Sequence, residues 1–92
     1  MDPTLPGADL VSKGLADLAR GVTSIEALLV SVGAPRLRAI GIGVDGALAM
    51  PERKLYERLA AEDPDSAHSR YNALIRRLVS FERAAECVNR PT

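Results

Sequence analysis

The chain reads as an all-α protein, a single small domain of four to five helices that closes with one long C-terminal helix. Three observations lead there. Ala67, Tyr71, Leu74, Leu78, Phe81, Ala85 and Val88 are separated alternately by four and three residues, a spacing that lines up one apolar seam along a helix. Fourteen alanines and twelve leucines, both strong helix formers, dominate the composition. Helix start and stop residues (Gly21, Thr23, Gly33, Pro51, Asp63-Pro64) punctuate the chain at helix-length intervals.

The first helix is expected from about Ala8 to Arg20. Pro6-Gly7 breaks the chain ahead of it, and Ala8, Val11, Leu15, Leu18 and Val22 recur every three or four residues. Gly21 stands where a glycine commonly ends a helix, and Gly14 weakens the middle by about 1 kcal/mol relative to Ala. The second helix opens on a T-x-x-E capping box. In it Thr23 and Glu26 can each satisfy the other's free backbone N–H. It runs through Leu28, Leu29 and Val32 and stops at Gly33.

The segment from Ala34 to Met50 is harder to read. Pro35 can begin a short helix that ends near Ile40, while Ile40, Ile42 and Val44 alternate as a short strand would. Glycines at 41, 43 and 46 oppose a long element, so a short helix and an apolar loop are expected. Pro51, with Glu52 beside it, favours a helix start; that helix carries Leu55, Tyr56, Leu59 and Ala60 to about Glu62. Asp63-Pro64-Asp65-Ser66 ends it, and Asp65 or Ser66 is expected to cap the last helix, from about Ser66 to Val88. The folded domain is thus expected over residues 5–88, with residues 1–4 and 89–92 frayed.

Composition bounds the function. Twenty-three Leu, Ile and Val residues suffice for one core, and only Phe81, Tyr56 and Tyr71 are aromatic. A net charge of zero argues against gripping nucleic acid by bulk electrostatics. The single cysteine, Cys87, forms no intrachain disulfide and fits a reducing compartment. Met1 to Thr4 lack the apolar segment of a secretion signal, and the apolar run Leu28 to Val32 is too short to span a bilayer. A cytoplasmic protein without a membrane anchor is expected.

The chemical motifs are weak. Gly41, Gly43 and Gly46 spell G-x-G-x-x-G, but that fingerprint works only between a strand and the helix it opens, and Pro51 follows five residues later. It is read as a loop. His68 is the only histidine, near Asp63 and Asp65, and is expected to be solvated in the first turn of the last helix. Cys87 has no histidine base near it in sequence. No catalytic, cofactor-binding or metal-ligating residue is assigned, and no enzyme is expected.

Two functional readings follow. The leading one is a non-catalytic helical protein–protein interaction or regulatory module, self-associating through its C-terminal helix. The helix from Pro51, folded back, covers Ala67, Tyr71 and Leu74 and runs out opposite Leu78. Leu78, Phe81, Ala85 and Val88 are then the interface candidates, to be met by the first two helices or by another chain. Arg70, Arg76, Arg77 and Arg83 flank the seam, so the partner is expected to be a second copy or a protein with an acidic helical face. The alternative is a small DNA-binding transcriptional regulator. Residues 25–42 have the outline of a degenerate helix-turn-helix with Arg36 and Arg38 pointing outward, although its second element is short for a recognition helix.

Overall fold

A computed structural model describes residues 2–89 of the chain, which fold into five helices. These are α1 (Ala8–Ala19), α2 (Ile25–Val32), α3 (Ala34–Ala39), α4 (Pro51–Glu62) and α5 (Ala67–Asn89). The fraying expected of Met1 and of residues 90–92 lies outside the described residues. At 1.5 Å per residue α5 is about 35 Å long. The molecule measures 45 × 26 × 20 Å, and α1, α2 and α4 pack against α5.

No strand occurs among the described residues. The alternation of Ile40, Ile42 and Val44 fails because the backbone groups a strand would need are engaged locally. Ile42 N–H bonds the Leu37 carbonyl at 2.9 Å, and Arg38 donates from Nε and Nη2 to the Val44 carbonyl at 3.2 and 2.6 Å. The segment thus wraps back onto α3. Further along the same loop, the buried Ser31 hydroxyl accepts the Leu48 N–H at 3.0 Å and donates to the Ala27 carbonyl at 2.8 Å, fastening the loop to α2.

At the N-terminal end, Asp2 accepts from the Thr4 N–H and hydroxyl at 2.9 and 2.6 Å, and Leu5 packs against the core. Gly7 then turns the chain into α1 with φ of 77°, a left-handed conformation that glycine adopts without steric penalty. It is also pressed against α5, where a Cβ would lie 2.8 Å from the Arg77 carbonyl oxygen. α1 ends as the glycine at 21 suggests: Gly21 N–H bonds the Leu18 carbonyl and Val22 N–H the Asp17 carbonyl, a Schellman closure.

The buried face of α1 is Ala8, Val11, Gly14, Asp17 and Leu18, so the expected stripe is rotated: Leu15 is half-buried and Val22 exposed. Gly14 is the point where α1 and α2 cross. A Cβ there would lie 2.4 Å from the Glu26 carbonyl oxygen and 2.7 Å from Val30 Cγ1. The glycine read as a weak point in the helix is what allows the two backbones to approach.

The start of α2 also departs from the expectation. Ser24, not Thr23, is the cap: its hydroxyl accepts from Ala27 N–H at 3.0 Å. The reason is tertiary. The same hydroxyl donates to the buried Asp17 carboxylate at 2.6 Å, a partner that no local pattern reveals. Thr23 is exposed, its carbonyl accepts from Arg58 of α4, and Glu26 lies one position too early to close the box.

Asp17 is 1% exposed and is surrounded by donors: Lys13 Nζ at 2.7 Å, Ser24 Oγ and Arg20. These hydrogen bonds, Lys13's first, hold its carboxyl well below the usual carboxylate range. An unfolded Asp titrates near pH ~4. The stabilisation is therefore complete above about pH 4 and is lost as acid protonates the folded carboxylate. The melting temperature should fall below about pH 4, and in Asp17→Asn that slope should flatten. A wild-type slope retained in the variant would assign acid sensitivity to other groups. Glu82 works in the opposite sense: burial pushes its carboxyl up, partly offset by Arg36, so acid relieves the cost of the buried charge rather than removing stability there.

α4 spans the expected residues and buries Leu55 and Leu59. Tyr56 stays 40% exposed but meets Tyr71 of α5 edge to face, with ring centroids 5.8 Å apart. In the following turn Asp63 is the organising residue, accepting from Asp65 N–H at 3.1 Å and the Ser66 hydroxyl at 2.9 Å. Three ion pairs orient α5 on its neighbours: Arg70 to Glu62, Arg77 to Asp9 and Arg36 to Glu86. All are solvent-accessible, and such pairs fix direction more than stability.

Candidate functional site

The seam of α5 divides into a covered and an uncovered part. Ala67, Leu78, Phe81 and Ala85 are 0–3% exposed, and Tyr71 and Leu74 are partly buried. Leu78 packs against Gly33 at the α2–α3 junction, and Phe81 lies under Gly7 at the start of α1. Of the four interface candidates, Leu78, Phe81 and Ala85 are therefore buried within the chain itself. Phe81 is covered by the turn at Gly7 that leads into α1, and Leu5 and Ile42 line the groove beside it. Val88, one turn past Ala85, is 61% exposed.

Beside Val88 lies a groove of about 400 Å³. Leu5 and Asp2 form one side, Gly41 and Ile42 the other, and Phe81, Ala85 and Val88 of α5 the third. Its walls come from three segments far apart in sequence, two of them outside regular helices. A second groove, of about 380 Å³, opens where α1, α2 and α5 meet. It holds Leu10, Ile25, Ala73 and Leu74 together with Glu26, Arg70 and Arg77.

The arginines of the alternative reading are not free to reach a nucleic acid unchanged. Arg36 pairs with Glu86 of α5, and Arg38 closes the loop onto the Val44 carbonyl. α2 and α3 are joined by Gly33 alone, and α3 is six residues long. Of the arginines that flank the seam, Arg70 and Arg77 are engaged with carboxylates and Arg76 with the Asn72 carbonyl.

The other singled-out residues sit at the surface. His68 is exposed, with Nε2 3.2 Å from the Asn72 side-chain amide. Cys87 is an exposed free thiol. Among the described residues, no group of three His, Cys, Asp or Glu side chains could hold a metal ion. No helix among them is long and apolar enough to cross a membrane. Gly41, Gly43 and Gly46 lie in the loop between α3 and α4, with no strand before them.

No family model matches the chain, and it finds no match among curated proteins or solved structures.

Proposed function

We propose that the chain is a small non-catalytic helical interaction module that self-associates through the C-terminal end of α5. The observation that carries this reading is Val88. It continues a seam whose preceding members are buried, it is 61% exposed, and it stands at the edge of an apolar groove. A surface that holds both a protruding apolar side chain and a recess for one is self-complementary. Two copies related by a two-fold axis can each seat Val88 in the other's groove. In a reducing cytoplasm the exposed Cys87 near this end remains a thiol.

The test is solution mass by light scattering across salt concentrations. An apolar contact is not screened by salt, so a dimer should persist from low to high ionic strength, and Val88→Glu should give a folded monomer. Wild-type protein that stays monomeric at every concentration would overturn the reading. Duplex DNA binding that falls steeply with salt, and disappears in an Arg36→Ala, Arg38→Ala double variant, would replace it with the DNA-binding alternative.

A further inference from the structure

We propose that Glu82 and Glu86, sharing the guanidinium of Arg36, form a proton-dependent latch that sets how firmly α3 is held on α5. Through α3 the latch governs one wall of the groove beside Val88, so its bearing on dimerisation rests on the self-association proposed for that groove.

The cluster is one cation facing two carboxylates a helical turn apart. Arg36 of α3 is ion-paired with Glu86. Glu82, four residues earlier on α5, is 8% exposed and lines a groove of about 260 Å³ with Arg36, Val79 and Arg83. Among the described residues no hydrogen bond or ion pair reaches its carboxylate. Gly33 makes room for it: a Cβ there would lie 3.1 Å from Glu82 Oε2 and 3.0 Å from Leu78 Cδ2. The carboxylate is thus wedged against the residue that alone joins α2 to α3.

When Glu82 is ionised, the junction holds two carboxylates for one guanidinium, and Glu86 has already engaged it. A buried charge without a hydrogen-bonding partner is costly. Arg83 lines the groove but is exposed, where water and salt screen its charge. The other charged groups of the packed helices face elsewhere: Glu26 of α2 faces Lys13, and Arg38 of α3 is bound to the Val44 carbonyl. Protonation removes the excess charge and leaves Arg36 to Glu86 alone. Burial raises the Glu82 carboxyl from its ordinary value, so the folded state favours the proton. The stability it contributes is complete below the unfolded value of about pH 4 and is lost as pH rises through the folded one.

α3 carries the change onward. Gly41 N–H bonds the Arg38 carbonyl at 3.1 Å, and Ile42 N–H bonds the Leu37 carbonyl at 2.9 Å. Gly41 and Ile42, which wall the Val88 groove, are therefore fixed to α3 and move with it.

The experiment uses the full chain carrying Val88→Glu, which keeps melting free of dimerisation, with and without Glu82→Gln. Glu82→Gln should melt about 4–8 °C higher at pH 8, and the gap should narrow as pH falls to 4.5. Comparing the two chains at each pH cancels Asp17 and the other carboxylates they share. Adding Glu86→Gln to both should also narrow the gap at pH 8, because Arg36 is then left to Glu82. With Val88 intact, light scattering should show a tighter dimer at pH 4.5 than at pH 8, and no such difference in Glu82→Gln. A gap that is absent, reversed, constant with pH or unmoved by Glu86→Gln would overturn the latch. A dimer indifferent to pH would overturn its control of the groove. The expected melting pattern with no dimer at either pH would uphold the latch and overturn self-association alone.

Discussion

Gly14→Ala is expected to lower the melting temperature by roughly 10–20 °C, the reverse of what the same substitution does in an ordinary helix. In an exposed helix interior, Ala in place of Gly stabilises by close to 1 kcal/mol. Here the added Cβ would lie 2.4 Å from the Glu26 carbonyl oxygen and 2.7 Å from Val30 Cγ1. Both are far inside van der Waals contact, and a backbone oxygen cannot move aside as the tip of a long side chain can. α1 must then lift off α2, and overpacking of this kind costs about 1–3 kcal/mol, occasionally more. The crossing also aligns Asp17 with Ser24, so separation of the two helices weakens the cap of α2 and the cluster around Asp17. A net loss of about 2–3 kcal/mol is expected, at about 4–8 °C per kcal/mol for a domain of this size. Gly43→Ala is the control. Nothing lies within 4 Å of a Cβ there, so its melting temperature should not fall. A Gly14→Ala variant as stable as the wild type would mean that α1 and α2 do not cross at this residue.

The contrast between these two glycines shows which parts of the fold were legible in the sequence. Helix positions were, because their determinants are local: Pro51 at the start of α4, Gly21 and Gly33 after α1 and α2, and the four–three spacing along α5. A glycine within a helix carries no local mark of whether it is slack or pressed against another backbone, so Gly14 read as a weakness. Thr23 and Ser24 are both good caps by local chemistry. The choice between them is made by Asp17, seven residues before Ser24 and across a helix end. Val44 offered a strand pattern, but Arg38 had already taken its carbonyl.

The surfaces were less legible than the helices, for a related reason. The spacing along α5 identified its apolar line, but which residues of that line stay uncovered depends on the helices packed around it. Residues 2–7 showed no periodicity, yet Gly7 packs on Phe81 and Leu5 lines the groove beside it. Arg77 reads as a free surface charge until the fold brings Asp9, 68 residues earlier, within 3.0 Å. The groove holding Arg70 and Arg77 depends on the mutual placement of α1, α2 and α5. The arginines and their spacing are visible in the sequence, whereas Leu10 and Ile25 become their neighbours only in three dimensions.

Phe81→Ala is expected to unfold the protein at physiological temperature or leave it only marginally folded. Phe81 is the only phenylalanine, and it is 0% exposed. It packs where α5 meets the turn into α1. Removing a fully buried phenyl ring costs about 3–5 kcal/mol, more where the surroundings cannot collapse into the space. Collapse is restricted here because Gly7 already sits against the Arg77 carbonyl, where a Cβ would be 2.8 Å away, and Asp9 is tied to Arg77 by an ion pair. A chain of this length has roughly 5–14 kcal/mol of stability in total, so the loss takes from about a fifth to all of it. Phe81→Leu retains much of the volume and should cost about 1–1.5 kcal/mol, within the range of conservative hydrophobic exchanges. Thermal denaturation followed by circular dichroism distinguishes the two. If Phe81→Ala melted with the wild type, α1 would not seat on α5 at this point. The groove beside Val88 would then lose its floor, and self-association through that end of α5 would lose its structural basis.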